Sequence, residues 1–358
     1  MEDCKGMNRL FFIVAIVGTL LSILGIFLHL TNLFMFFIYC LTIIGLASFI
    51  GRSTESLAII TGPSVGGLLN ATFGNAVELI ISFFALKQGL FTVVMASITG
   101  SVIGNLLLVG GLSIIIGGLK YKRQTFNVHD ARHNTGIMMF TIIVSFIFPF
   151  IFSMGMPNHN IQLLSTVIAS VMILIYLFSL LFRLVTHRGI YVSNEESKDN
   201  LNDEIAEWSG LKAVIVLVLT TLIVAYISEH LVDTIKPIGK SFGWSATFIG
   251  VIIVAIVGNA GEHASAVLMA YKNRMNVAIE IAIGSTLQIA LFVAPVLVLF
   301  SWTLDTFMPL VFPVKELISM VLATFLTMSI TTDGDTNWFE GALLLAAYTI
   351  MGFGFYLL

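Results

Sequence analysis

The chain has 358 residues, 58% of them hydrophobic and 10% charged, with a mean hydropathy of +1.00 and a formal net charge of −3. Soluble domains carry about 25% charged residues, so a water-soluble enzyme is excluded, and the negative balance argues against nucleic-acid partners. The apolar blocks are helix-length and near-continuous rather than alternating, which excludes an outer-membrane barrel and leaves an all-α polytopic membrane protein.

A membrane-spanning helix needs about 20 apolar residues. Eleven such spans are expected, over 10–30, 32–51, 62–86, 91–118, 134–154, 160–185, 211–232, 246–271, 276–302, 312–331 and 338–358. The first has no small-residue cleavage pattern and reads as a retained span rather than a signal peptide. Cys4 and Cys40 are the two cysteines, too few for a disulfide framework or a zinc ligand set. Connections are short except at 186–210, where Glu195, Glu196, Asp199, Asp203, Glu204 and Glu207 surround Lys198. With the N-terminus in the cytoplasm, thirteen of the 17 lysines and arginines face inside, and only Lys87, Lys236, Lys240 and Lys315 face outside. The acidic linker is then cytoplasmic and the C-terminus external. Such a linker gathers cations near the cytoplasmic face, or is only a solvated tether.

Two stretches repeat. An offset of 184 residues carries Gly74-Asn75-Ala76-Val77-Glu78 onto Gly258-Asn259-Ala260-Gly261-Glu262, Gly100-Ser101 onto Gly284-Ser285, and Leu107 and Val109 onto Leu291 and Val293. The copies fall in the third and eighth spans, an odd number apart, so they enter the membrane from opposite sides. That is an inverted repeat, the plan of many secondary transporters, whose substrate sites lie at the midplane where the repeats meet. The organisation becomes 1–31 as a tail and extra helix, 32–185 as a first five-helix repeat, 186–210 as linker and 211–358 as a second repeat.

Glu78 and Glu262 lie inside apolar spans, where a charge costs at least about 2.5–3.5 kcal/mol and usually marks an ion or proton path. Asn75 and Asn259 each stand three residues before the acid and share its helix face. Gly74 and Gly258 weaken the helix just before it, so an opened turn could offer carbonyl oxygens to a cation. Ser101 with Asn105, and Ser285 with Gln288, share faces in the next span of each repeat; they serve the same site or act as helix–helix glue. The oxygen-only donor set suits a hard divalent cation such as Ca²⁺ rather than zinc or copper. His263 has no counterpart in the first repeat, where Leu79 stands; it relays protons or senses pH, or packs as a hydrogen-bonded histidine. Glu55 and Glu229 near span ends are pathway mouths or solvated helix-end acids. Glu280 is interfacial, and Asp333-Gly334-Asp335 is a turn capping the last helix.

The chain resembles the calcium/proton antiporter family, bacterial relatives of the vacuolar cation/proton exchangers within the cation/calcium exchanger superfamily. The resemblance is carried by Leu69-Asn70-Ala71-Thr72-Phe73-Gly74-Asn75-Ala76-Val77-Glu78-Leu79, Gly258-Asn259-Ala260-Gly261-Glu262-His263, Gly284-Ser285-Thr286-Leu287-Gln288-Ile289-Ala290, and Asp333-Gly334-Asp335 with Asn337-Trp338-Phe339-Glu340-Gly341. It covers essentially the whole chain. It implies eleven helices, an acidic helix after the sixth, cation binding by Glu78 and Glu262, and His263 as the family's motif histidine. The long regulatory tail of the plant members is missing, so autoinhibition of that kind is not expected. Gly261 stands where alanine or another small residue is common, without mechanistic consequence.

The activity this implies is export of cytoplasmic Ca²⁺ in exchange for protons by alternating access, serving calcium homeostasis at the cell membrane. The alternatives are a cation channel, or exchange of Mn²⁺, Na⁺ or K⁺ against protons. No Walker lysine motif, His-Glu-x-x-His pattern or intramembrane aspartyl protease pattern supports an enzyme. No cofactor is expected beyond Ca²⁺ as transported substrate, the partners are Ca²⁺, H⁺ and the lipid bilayer, and a homo-oligomer is compatible with the sequence.

Overall fold

In hydrocarbon a backbone group without a partner costs several kcal/mol, and a helix satisfies its own within one segment. That is why the apolar runs fold as helices. The computed structural model describes residues 2–186, 206–304 and 306–358. In chain order the helices are α1 Glu2–Phe27, α2 Asn32–Thr61, α3 Pro63–Phe73, α4 Ala76–Lys87, α5 Phe91–Tyr121, α6 Val128–Ser153 and α7 Asn158–Thr186. There follow α8 Gly210–Phe242, α9 Ala246–Gly258, α10 Ala260–Tyr271, α11 Met275–Ser301, α12 Val314–Ile330 and α13 Trp338–Tyr356.

Among the described residues, eight helices are long and apolar enough to cross a membrane, and α9 with α10, bent by 62°, pass the same test as a pair. The protein is thus a multi-pass membrane protein. Two of the eleven expected spans fall short of that measure. Residues 62–86 form no continuous rod but α3 and α4, parted at Gly74-Asn75, and α12 has 17 residues. Two other helices outrun their expected ends: α2 continues from 51 to Thr61, and α8 from 232 to Phe242. These extensions pack. Ser53, Thr54, Ser56 and Leu57 on α2 and Thr234, Ile235 and Ile238 on α8 are buried, and the two helices lie against each other. Tertiary burial thus sustains helix where apolar periodicity fades.

The core sits on α5 and α11, whose spanning segments are each 67% buried, against 17% for α1 and α13. Leu20, Phe27, Ile350 and Phe353 on the outer helices are exposed, as a hydrocarbon-facing surface requires. Of the expected linker, residues 187–205, with Glu195, Glu196, Asp199, Asp203 and Glu204, lie outside the described residues. Glu207 is tied to α2: Arg52 donates to it from Nε at 2.9 Å and from Nη2, and the same guanidinium lies 4.9 Å above the Trp208 ring.

A two-strand ribbon joins the loop before α6 to the loop before α13. β1 (Gln124–Thr125) pairs antiparallel with β2 (Asp335–Thr336), Gln124 opposite Thr336 and Thr125 opposite Asp335. Gly334 turns the chain at φ +84°, a conformation other residues adopt with strain. The ion pair with the Arg123 guanidinium holds the Asp335 carboxyl below its usual range. The aspartates therefore do not cap α13. Asn337 does: its Oδ1 accepts from the Phe339 and Glu340 amides at 3.0 and 3.4 Å, while Glu340 Oε2 accepts from the Asn337 amide at 3.2 Å. The turn and ribbon engage Asp335 before the helix begins.

Candidate functional site

The two repeated motifs fold alike. Asn75 and Asn259 interrupt the helix with φ, ψ of −99°, 21° and −103°, 10°, and the helix restarts one residue later in each case. The backbone bonds across the breaks also correspond, the Leu79 amide to the Asn75 carbonyl and the His263 amide to the Asn259 carbonyl, both at 3.0 Å. Glu78 and Glu262 thus occupy the first turns of α4 and α10, where the helix dipole favours negative charge. Each break also ends a helix, whose final carbonyls lack partners within it.

The acids meet in the interior. Ser101 of α5 donates to Glu78 Oε1, and Ser285 of α11 donates to Glu262 Oε2, at the same sequence separation of 23. Glycine lets each break approach the opposite acid. A Cβ built at Gly258 would stand 3.2 Å from Glu78 Cα and Cβ, and one at Gly74 would stand 3.1 Å from Glu262 Oε1. Glu262 is near enough for its charge to act on Glu78. The amides close the cluster. Asn259 Nδ2 donates to Ser101 Oγ at 2.8 Å and to the Ala255 carbonyl at 2.9 Å, and Asn75 Nδ2 donates to Gln288 Oε1 at 2.7 Å. Asn105 Nδ2 donates to Ser285 Oγ at 2.9 Å, and His263 Nε2, in the tautomer protonated there, donates to Asn105 Oδ1 at 3.2 Å. The Ser285 hydroxyl also stands 3.2 Å from Asn75 Oδ1, but it has one proton to give.

The cluster's two halves differ. Glu78 is fully buried, whereas Glu262 is half-buried. A Cβ at Gly100 would fall 2.1 Å from the Val251 carbonyl oxygen, so α5 is pressed onto α9, while one at the corresponding Gly284 meets open space. Just beyond the serines, α5 and α11 each widen into a π turn, Gly104–Val109 and Ile289–Val293. Such turns gather at functional sites. Glu78 Oε2 and Asn259 Oδ1 are buried and have no hydrogen-bond partner among the described residues. Among those residues no three His, Cys, Asp or Glu side chains gather as a metal group. A cation held here would take two carboxylates and complete its shell from amide, hydroxyl and backbone oxygens, a set that suits a hard ion.

The structure therefore brings together Asn75, Glu78, Ser101, Asn105, Asn259, Glu262, His263, Ser285 and Gln288, with Gly74 and Gly258 at the breaks. Glu55 is exposed on α2, Glu229 half-buried on α8 and Glu280 exposed on α11. One acid escaped the sequence reading. Glu316, in the first turn of α12, is 1% exposed and accepts from Thr99 Oγ1 of α5 at 2.8 Å. Beside Lys315, at the start of an apolar run, it resembles an ordinary helix-end acid, and nothing local signals its burial.

The profile of the sodium/calcium exchanger protein family matches residues 31–185 and 212–357. The chain belongs to this family. It is 60% identical to the Ca²⁺/H⁺ antiporter ChaA of Bacillus subtilis, over 98% of this chain and 100% of that protein. It is 42% identical to a Ca²⁺/H⁺ antiporter of Aphanothece halophytica, over 94% of this chain and 93% of that one. The solved structure of native YfkE superposes with a TM-score of 0.86 at 56% identity, covering 97% of this chain and 100% of that one. Family membership makes the protein an ion-exchanging transporter.

Proposed function

We propose that this protein exports cytoplasmic Ca²⁺ in exchange for protons by alternating access between two inverted five-helix halves, residues 32–185 and 211–358. Residues 1–31 form an added tail and helix, 186–210 a cytoplasmic acidic linker, the N-terminus is cytoplasmic and the C-terminus external. The observation that carries the reading is the pair of bare acceptors, Glu78 Oε2 and Asn259 Oδ1, at the meeting point of the two breaks. A buried polar group without a partner costs about 1–3 kcal/mol. A divalent cation recovers that cost and neutralises both carboxylates; without it, protons can. Glu78, Glu262, Asn75 and Asn259 hold the cation, and the two glutamates exchange it for protons. Ser101, Ser285, Asn105 and Gln288 orient these ligands, while Glu55 and Glu229 stand at the approaches.

In vesicles with an imposed pH gradient, Ca²⁺ uptake should collapse when nigericin dissipates that gradient. Flux persisting after nigericin would identify a channel instead, and uptake of Mn²⁺, Na⁺ or K⁺ in place of Ca²⁺ would redirect the substrate. The His263 ring meets the cluster at Asn105, not at a glutamate, and has no partner by symmetry, so it tunes exchange rather than creating it. His263→Ala is expected to keep Ca²⁺ uptake within about tenfold of wild type and to displace its pH profile, because it removes an ionisable ring hydrogen-bonded to Asn105. An unchanged profile at the wild-type rate would leave it a packing residue.

A further inference from the structure

Three consecutive residues fix α5 on three sides. Ser101 grips Glu78, Gly100 lies against the α9 backbone, and Thr99 donates to Glu316. Residues two apart on a helix point about 200° apart, so the two glutamates hold opposite faces of one rod. Glu316 belongs to neither break, and the 184-residue repeat pairs it with no acid: the position 184 residues earlier is Arg132.

The environment of Glu316 is unusual for a helix-end acid. Only 1% of the residue is exposed, Oε2 has a single hydrogen bond, from Thr99, and Oε1 is buried without a partner among the described residues. The elements packed on α12 are α5, α6 and α13. Their titratable and charged groups are Lys120 and Tyr121 at the end of α5, His129, Asp130, Arg132 and His133 at the start of α6, and Glu340, Tyr348 and Tyr356 on α13. Among the described residues none of these meets the Glu316 carboxyl in a hydrogen bond or ion pair; its partner there is Thr99. A carboxylate so placed has no counter-charge, and the first-turn amides of α12 supply only part of one. A proton is the remaining way to neutralise it.

We propose that Glu316 takes up and releases a proton during the exchange cycle and acts through Thr99 on the placement of α5, a positioning residue outside the cation cluster. This rests on the exchange reading above. A proton from water forms an O–H bond at Oε1 while Oε2 keeps the Thr99 hydrogen bond, and the same proton returns to water on release. The change in charge alters how strongly Thr99 is drawn toward α12, and with it the side of α5 that carries Ser101.

The test uses the full-length protein in liposomes. Glu316→Gln keeps the shape and an acceptor for Thr99 but cannot titrate. It should still exchange Ca²⁺, with the pH of half-maximal exchange displaced by about one unit or more. Thr99→Val keeps the carboxyl and removes the donor, and should displace the same midpoint. Infrared difference spectra between wild type and Glu316→Gln should contain a protonated-carboxyl band that grows from about pH 9 to about pH 5. Should Glu316→Gln not be recovered from the membrane, the carboxyl band of Thr99→Val must titrate at a pH different from that of wild type. A carboxyl signal constant over the range, or variants with the wild-type pH profile, would overturn the proposal, as would a lower maximal rate with an unmoved profile. Wild-type protein that fails to couple Ca²⁺ to protons would instead overturn the exchange reading, and the infrared titration would still decide Glu316.

Discussion

Glu78→Gln and Glu262→Gln are each expected to abolish pH-driven Ca²⁺ uptake into everted vesicles, by about a hundredfold or more, while the protein still inserts. Removing one charged partner from a buried, hydrogen-bonded cluster typically costs 2–5 kcal/mol, and every 1.4 kcal/mol is about tenfold in affinity. Glutamine preserves volume, and its carbonyl oxygen still accepts from Ser101 or Ser285, the bonds that join α4 to α5 and α10 to α11. Folding is therefore largely spared, and membrane abundance of a tagged protein should stay within about twofold of wild type. Glutamine cannot trade a metal for a proton. Wild-type uptake by either variant would remove that glutamate from the mechanism. The fully buried Glu78 should tolerate change less than Glu262, because a neighbouring break packs onto its own Cα and Cβ.

The central site was legible because its residues contradict their surroundings. A glutamate three places after an asparagine and four after a glycine, inside an apolar run, appears twice at a fixed offset, and the structure opens the helix at both places. Ser101 and Ser285 were legible through the same offset. The amide hydrogen bonds between the repeats were not: Asn105 donates across to Ser285, and Asn75 donates to Gln288, over more than 200 residues in the second case. Neither Asn105 nor Gln288 has a counterpart in the other repeat, so symmetry could not place them. Glu316 was invisible for a related reason. Its hydrogen bond comes from Thr99, 217 residues away, and a sequence window sees only a charged residue beside a lysine. The lengths of α2 and α8 escaped hydropathy because the residues just past 51 and 232 include polar ones, yet Ser53, Thr54, Ser56 and Thr234 are buried. Hydropathy runs unbroken over 62–86; Gly74 suggests an opened turn within that span, and the backbone geometry at Asn75 makes it two helices.

Ca²⁺ binding is expected to expel protons. Glu78 and Glu262 sit close enough for their charges to interact, Glu78 sealed from water and Glu262 half-buried. Two carboxylates sharing such a site cannot both stay ionised without a compensating cation, and they titrate as a pair. Ca²⁺ brings two positive charges and lets both ionise; when it leaves, protons must return to the same oxygens or the helix ends face each other as like charges. Apparent Ca²⁺ affinity should therefore fall steeply as pH drops, with about one to two protons released per Ca²⁺ between about pH 6 and about pH 8. The quantity is measured by titrating the purified protein with Ca²⁺ in a calorimeter, in buffers of differing ionisation enthalpy; the slope of observed heat against that enthalpy is the proton count. Glu78→Gln and Glu262→Gln should each lower the slope as well as the affinity, whereas Glu316→Gln, outside the cluster, should leave Ca²⁺ affinity within about threefold of wild type. Heats that do not depend on the buffer would mean that Ca²⁺ and protons do not compete for these oxygens. Exchange would then have to be coupled through helix movement alone, with α5, held by an acid on either face, as the first element to probe.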